Sequence, residues 1–518
     1  MGGRTASRLA IAASLLGAGC AQAQLDLSQR QTDAILTDLH AQVARERAEA
    51  KKTADEKRVP AAKEEPIPAV LTLGDALKVA GRQNRELLRS REGLTLSALS
   101  LVNARHAVGP RLAGSVSSIL TGDDRAERVR TNAGTLSVAD LLPSGAQATV
   151  TGDLSQSHGL GDVRPTSAGG SVTAKISQPL LRGAGYESSH ESLTEAERQA
   201  LYDVRAFELS RQDLAIQVQS EFYGLVTQRQ VIRNRESSLA SFEYLKRRSE
   251  RLFELGRVSE VDKFRAAREY LVAENELVDT RQEYETRLDR FKILLGLETA
   301  ARLDVAEEIP APRPLEIDLR HAVDVALTNR LDVMTQRDTV EDAERRLRIR
   351  RRDLLPDLSV EAIGTRSAPA GSRRVDSTLE HDTYSVGVSL ELPLDRVRER
   401  GALRAARIEL DRSRRDLTNQ EDTVILEVRE SLRTLRSSES SLKIQEQIAA
   451  SEEKNVRVAR MRFESGEISN RDLTDALTAL ADARDRLIRE KANVETARTR
   501  LLRDLGVLVL DEEGTWRE

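Results

Sequence analysis

The chain has 518 residues and sets 80 Lys+Arg against 84 Asp+Glu, so its formal charge is only −4 and no cationic excess points to nucleic acid. Charged residues reach 32% and aromatics only 3%, a composition thin in the rings that usually fill an enzyme core. A single cysteine excludes a disulfide framework and Cys-based zinc sites, the six histidines show no ligand spacing, and no phosphate-binding loop or GxSxG is present. No catalytic constellation, metal site or cofactor motif is legible.

The N-terminus reads as an export signal occupying 1–23. Arg4 and Arg8 precede a short apolar run, LAIAASLL, far below the ~20 apolar residues of a spanning helix. Two processing sites compete. Ala21-Gln22-Ala23 is an A-x-A cleavage site, whereas Leu16-Gly17-Ala18-Gly19-Cys20 resembles a lipobox that would acylate Cys20. Residues 24–70 form a charged segment and linker.

Proline then maps the rest. No proline falls in 69–109, 180–309, 315–355 or 394–518, and proline disrupts helix interiors, so these gaps are where long helices fit. The first half, 71–310, predicts helices near 72–108, 186–255 and 260–297, with strand-like sequence inside 110–180. The second half, 311–508, predicts helices near 317–355, 396–465 and 470–507, with strands inside 356–395, followed by a tail, 509–518. Each long helix of about 70 residues would measure roughly 105 Å. From Leu403 the apolar stripe runs Leu410, Leu417 and Val424, steps by four to Val428, and continues through Leu435, Leu442, Ala449, Val456 and Phe463. Such a narrow stripe, with one stutter, implies coiled-coil packing.

The halves repeat one plan. Leu73–Ala80 with Asn84 recurs as Leu319–Ala326 with Asn329, one residue out of step. Phe253-Glu254-x-Gly256-x-Val258-Ser259-x-x-Asp262 recurs as Phe463-Glu464-x-Gly466-x-Ile468-Ser469-x-x-Asp472. Residues 384–392, 171–177 and 358–362 alternate apolar and polar, as a transmembrane barrel strand does and as a half-buried soluble strand also does. Each strand group starts and ends at a helix on the same side, so it crosses an even number of times: two for 356–395, and two or four for 110–180. Four strands per chain would be too few to close a barrel, whose minimum is about eight, so the chain must oligomerise.

With its duplicated helix starts, Leu142-Pro143-Ser144-Gly145, Gln178-Pro-Leu-Leu-Arg-Gly183 and paired FExGx[VI]SxxD turns, the sequence resembles the TolC-like outer-membrane efflux factors over about 70–508. The resemblance implies a mainly α protein with a membrane β part. Long coiled-coil hairpins would form a periplasmic α-barrel, and a homotrimer would build one twelve-stranded β-barrel in outer-membrane lipid. It implies a passive exit duct that docks on a periplasmic adaptor and an inner-membrane pump. It places Gly256, Ser259, Gly466 and Ser469 at the adaptor-binding tips, and Asp262, Asp472 and Asp475 at the entrance, where carboxylates would select cations.

The plain alternative is local: Gly closes each turn, Ser caps the next helix, and Asp262 or Asp472 completes a capping box. Phe463 and Ile468 stand where the family's best-known gate has Tyr and Arg, leaving Arg257 and Arg471 as nearby cations. Tyr384 and Tyr186 are the aromatic-girdle candidates. An exported coiled-coil scaffold explains the heptads but not the strands. A periplasmic adaptor would show one hairpin where this chain shows two.

Overall fold

The computed structural model describes residues 70–122, 128–160, 167–307, 309–310, 315, 317–368, 379–465, 467–511 and 514–515, together with Thr37. The signal, Cys20 and the charged linker lie outside them. The chain divides into two compact units, one containing 93–204 and 335–418, the other 205–334 and 419–518 with 47–92.

In the first unit the strands build a six-stranded antiparallel sheet in sequential order: β2 (Arg111–Gly122), β3 (Arg128–Leu141), β4 (Gln147–Leu160), β5 (Ser167–Pro179), β7 (Asp357–Ser367) and β8 (His381–Glu391). The first group therefore holds four strands and the second two. This corrects the four strands per chain that a twelve-stranded trimer requires. The extra hairpin, β3–β4, was hard to read because Gly134, Gly152, Asn132 and Asp153 interrupt its alternation.

Two sequence signatures explain each other at the base of this sheet. Leu142–Gly145 forms the β3–β4 turn, where Gly145 N–H donates to Leu142 O at 2.8 Å. Ser144 Oγ donates to Gln178 Oε1 at 2.7 Å, and Gln178 Nε2 donates back to Ser144 O at 3.1 Å. Gly185 N–H completes the lock on Ser144 O at 2.9 Å. The two motifs are thus halves of one hydrogen-bonded corner. In the same unit Ala343, Leu347 and Leu410 form a small apolar cluster.

The second unit is helical. α1 (Leu73–Gln83) starts at Thr72, whose hydroxyl accepts from Asp75 N–H at 3.2 Å, and β1 (Val70–Leu71) pairs in parallel with β6 (Asp304–Val305). The helix expected over 72–108 is two helices, α1 and α2 (Arg85–Val108), divided at Asn84. Asn84 has an extended backbone; its side chain accepts from Leu87 N–H at 2.8 Å and donates to Leu294 O at 2.7 Å. One residue thereby ends α1 and caps α2. The long helix α3 (Glu191–Glu254) and its partner α4 (Glu260–Leu295) follow. Phe222, Phe291, Leu295, Ala76 and Ala80 fill their shared core.

The second half repeats the arrangement with α5 (Leu319–Asn329), α6 (Leu331–Arg352), α7 (Val397–Ser465) and α8 (Asn470–Asp504). Its core contains Ala322, Ala326, Val424, Val428, Leu501 and Leu505. The stripe positions Leu410, Val424, Val428, Leu435, Leu442, Ala449, Val456 and Phe463 are all buried. Here too the helix expected over 317–355 is two helices, divided at Arg330, one residue after Asn329, which is the last residue of α5.

Arg330 holds the break by charge instead of by an amide. Its guanidinium reaches Asp332 at 2.7 Å and Glu427 at 2.6 Å, and Gln420 donates to Asp332 at 2.9 Å. Burial pushes the Asp332 carboxyl up, but Arg330's hydrogen bond and charge outweigh it and hold the carboxyl below its usual range. A carboxylate lowered from 3.8 contributes stability above that pH and loses it as pH falls through the lower folded value. Arg330→Met should cost about 2 kcal/mol at neutral pH, less than a fully buried pair because both carboxylates remain partly solvated. Thermal melts of the helix signal at pH 7 and pH 3 check this. The loss should shrink in acid, and a pH-independent loss would mean that packing, not the ion pair, matters.

Candidate functional site

The cross-strand register sorts the sheet into two faces. Tyr384 lies opposite Gly364, then Ala174, Val150, Val138 and Leu112, so one rung crosses all six strands on the same face. That face carries Leu112, Val116 and Leu120 of β2, Leu136 and Val138 of β3, Val150 and Leu154 of β4, Val172 and Ile176 of β5, and Tyr384, Val386, Val388 and Leu390 of β8. All of them are exposed, Val116 at 91% and Tyr384 at 90%. Isolated exposed apolar residues are ordinary; a band of them on five strands, bridged on β7 by the half-buried Val360 and Ala362, is not.

The opposite face is polar and internally bonded. Thr135 donates to Asp153 at 2.8 Å, Thr131 and Ser157 lie 3.2 Å apart, Thr173 and Thr365 lie 3.1 Å apart, and Lys175 pairs with Glu361 at 2.6 Å. Beyond the apolar band the first face also turns polar, at Arg130, Asn132, His158, Arg366 and Asp382. Of the girdle candidates, Tyr384 is on the apolar face. Tyr186 sits outside the strands and stacks on His190 with ring centres 4.5 Å apart.

The two FExGx[VI]SxxD turns come together in the helical unit. Phe242, Leu245, Ala266 and Ala273 of the first half share one core with Val456, Phe463, Leu473 and Leu477 of the second. Asn470 Nδ2 donates to Ser249 Oγ at 2.7 Å across them. The turns close alike: Arg257 N–H bonds to Leu252 O at 2.8 Å, and Glu467 N–H to Arg462 O at 2.8 Å. Gly256 supplies the left-handed backbone this closure requires, with φ +69. Gly466, its counterpart, lies outside the described residues.

Both serines are N-caps. Ser259 Oγ accepts from Asp262 N–H at 3.2 Å, and Ser469 forms a full capping box in which its own N–H donates to Asp472 Oδ2 at 2.9 Å. The Ser469 hydroxyl and backbone hydrogen bonds hold the Asp472 carboxyl below its usual range. Asp472 and Asp475 are exposed, whereas Asp262 is half-buried and 3.5 Å from Arg265. Asp475 has Arg471 at 3.7 Å, one helical turn away. Phe463 is buried beneath Arg248, 5.0 Å above the ring centre, and Arg257 is exposed.

The sequence reading missed Asp485, a buried carboxylate that accepts from Asn234 at 2.7 Å and pairs with Arg235 at 3.3 Å. Burial pushes its pKa up. The available signal was its place in the buried stripe of α8 between Ala481 and Ala492. Among the described residues, no group of three or more His, Cys, Asp or Glu is placed to hold a metal, and no helix is long and apolar enough to cross a membrane.

An antiparallel sheet with one exposed apolar face and one bonded polar face, joined to paired helical hairpins, defines the class: an outer-membrane channel protein whose β segment meets lipid. Residues 322–507 match the family described as outer membrane efflux protein. The alkaline protease secretion protein AprF of Pseudomonas aeruginosa is 25% identical over 343 residues, 65% of this chain and 69% of that protein. The CmeC outer membrane channel of Campylobacter jejuni superposes with a TM-score of 0.65 at 14% identity, over 84% of this chain and 85% of that one. The outer membrane protein VceC of Vibrio cholerae gives 0.65 at 14%, over 84% and 96%. The chain is thus similar to outer membrane efflux proteins over 322–507, and its fold is that of these solved outer membrane channels.

Proposed function

We propose that the protein is the outer-membrane exit duct of a tripartite efflux or secretion system, working as a homotrimer with a periplasmic adaptor and an inner-membrane pump. The observation that carries this reading is the exposed apolar band along one face of the sheet. A soluble sheet would cover such a face with other elements of the chain, and among the described residues the face is bare. In this reading the cargo is set by the pump. The test is single-channel conductance in a planar bilayer of detergent-extracted protein whose mass is measured in the same detergent. A trimer with steady conductance is expected; a water-soluble species without conductance would overturn the reading in favour of a scaffold.

In this reading the tip surface around Gly256, Ser259, Gly466 and Ser469 is what the adaptor touches, and Cys20 is the lipid anchor if the lipobox is used. The serines also cap their helices, so the two roles coincide. Asp472 and Asp475 are the stronger entrance carboxylates, because both are exposed whereas Asp262 is half-buried. Three copies would place six exposed carboxylates at the mouth. Asp472→Ala with Asp475→Ala should lower cation-over-anion permeability severalfold, read from reversal potentials in a salt gradient. Arg471→Ala should raise it by removing the cation beside Asp475. Unchanged selectivity in both would dispose of the entrance role.

A further inference from the structure

The sheet has two open edges, β2 and β8, and every residue of both strands is exposed. They match: 12 and 11 residues long, antiparallel to each other by the sheet's alternation, and carrying the apolar band to the rim. Unpaired backbone groups at such edges are not tolerated in hydrocarbon. The band also slopes. Tyr384 and Leu112 share a rung, yet the band runs over 384–390 on β8 and over 112–120 on β2. Its midpoint therefore drifts by about seven residues over five strand-to-strand steps. With a rise of ~3.4 Å per residue and a spacing of ~4.8 Å, that is a tilt of about 45°, the geometry of a closing membrane barrel.

We propose that β2 of one copy pairs with β8 of the next, with Val116 facing Val388, so that three copies close an eighteen-stranded barrel. This rests on the trimeric duct proposed above and goes beyond it in strand number, edge pairing and register. Continuing the same drift across the junction brings Ser115 opposite Ser389 on the polar face. A barrel of about this size leaves an aqueous channel, whereas one of about eight strands is filled by side chains.

Disulfide trapping in isolated membranes tests it, with the unaltered chain, which has only Cys20, as the control. Ser115→Cys with Ser389→Cys should give a covalent ladder ending at three chains, and Ser117→Cys with Ser385→Cys catches a register two residues away. Ser115→Cys with Thr173→Cys should form no bond within a chain, because β2 and β5 stand three strands, about 14 Å, apart, beyond disulfide reach. A β2–β5 bond within one chain would mean four wall strands and a twelve-stranded barrel, overturning the proposal. A ladder ending at two or above three overturns the count. No ladder from either edge pair, in protein whose unlinked mass is a trimer, overturns the edge pairing and leaves the duct standing. Protein absent from membranes overturns the duct itself.

Discussion

Val150→Lys should destabilise the membrane-inserted protein by about 2–4 kcal/mol, while Thr151→Lys, the adjacent residue on the same strand, should cost under about 1 kcal/mol. Val150 is on the exposed apolar face of the central strand β4, opposite Ala174 and Val138; Thr151 is on the polar face, opposite Thr173 and Ser137. A lysine at mid-bilayer must shed water or distort lipid, whereas one facing an aqueous lumen keeps its hydration. Urea titration in vesicles measures both. A soluble sheet would tolerate lysine at either position, because Val150 is half-exposed already. Equal small effects would return the strands to that alternative.

Gly296→Ala should be among the most damaging single substitutions in the helical unit, costing about 3 kcal/mol or more. Its φ of +82 is a left-handed conformation, and a Cβ there would stand 2.0 Å from Gln83 O and 2.5 Å from its carbonyl carbon. Gln83 is the last residue of α1, so the backbone itself would have to move and carry the Asn84 cap with it. Strain and overpacking therefore add. Gly506 does the same job in the second half, where a Cβ would lie 2.9 Å from Arg330 N. Gly256→Ala is the control. Its φ is +69 but nothing lies within 4 Å, so only the backbone term of ~1 kcal/mol remains. Melting of the helical circular dichroism signal should separate the two; equal losses would show that close approach is not the reason for glycine at 296.

Much of the site was legible because it is local. Ser259 and Ser469 announce themselves as caps by an aspartate three residues on, and each capping contact closes within four residues. The repeated turn was legible because it occurs twice. The helix breaks at Asn84 and Arg330 were not: neither carries proline or glycine. The Asn84 cap on Leu87 is local, but the other end of its amide is held by Leu294 O, 210 residues away, and Arg330 is held by Glu427. The hairpin β3–β4 was obscured by its own glycines and asparagine, whose unfavourable strand preference is overridden by pairing on both sides.

The sequence by itself determined the long helices, the duplicated plan and the alternating strands, since periodicity, capping and proline placement are properties of neighbouring residues. Only the tertiary structure decided that six strands join in one sheet, that most of their exposed apolar residues fall on one sloping band, and that the two turns share a core. Register and packing depend on which distant segment supplies the partner, and no local pattern encodes that choice.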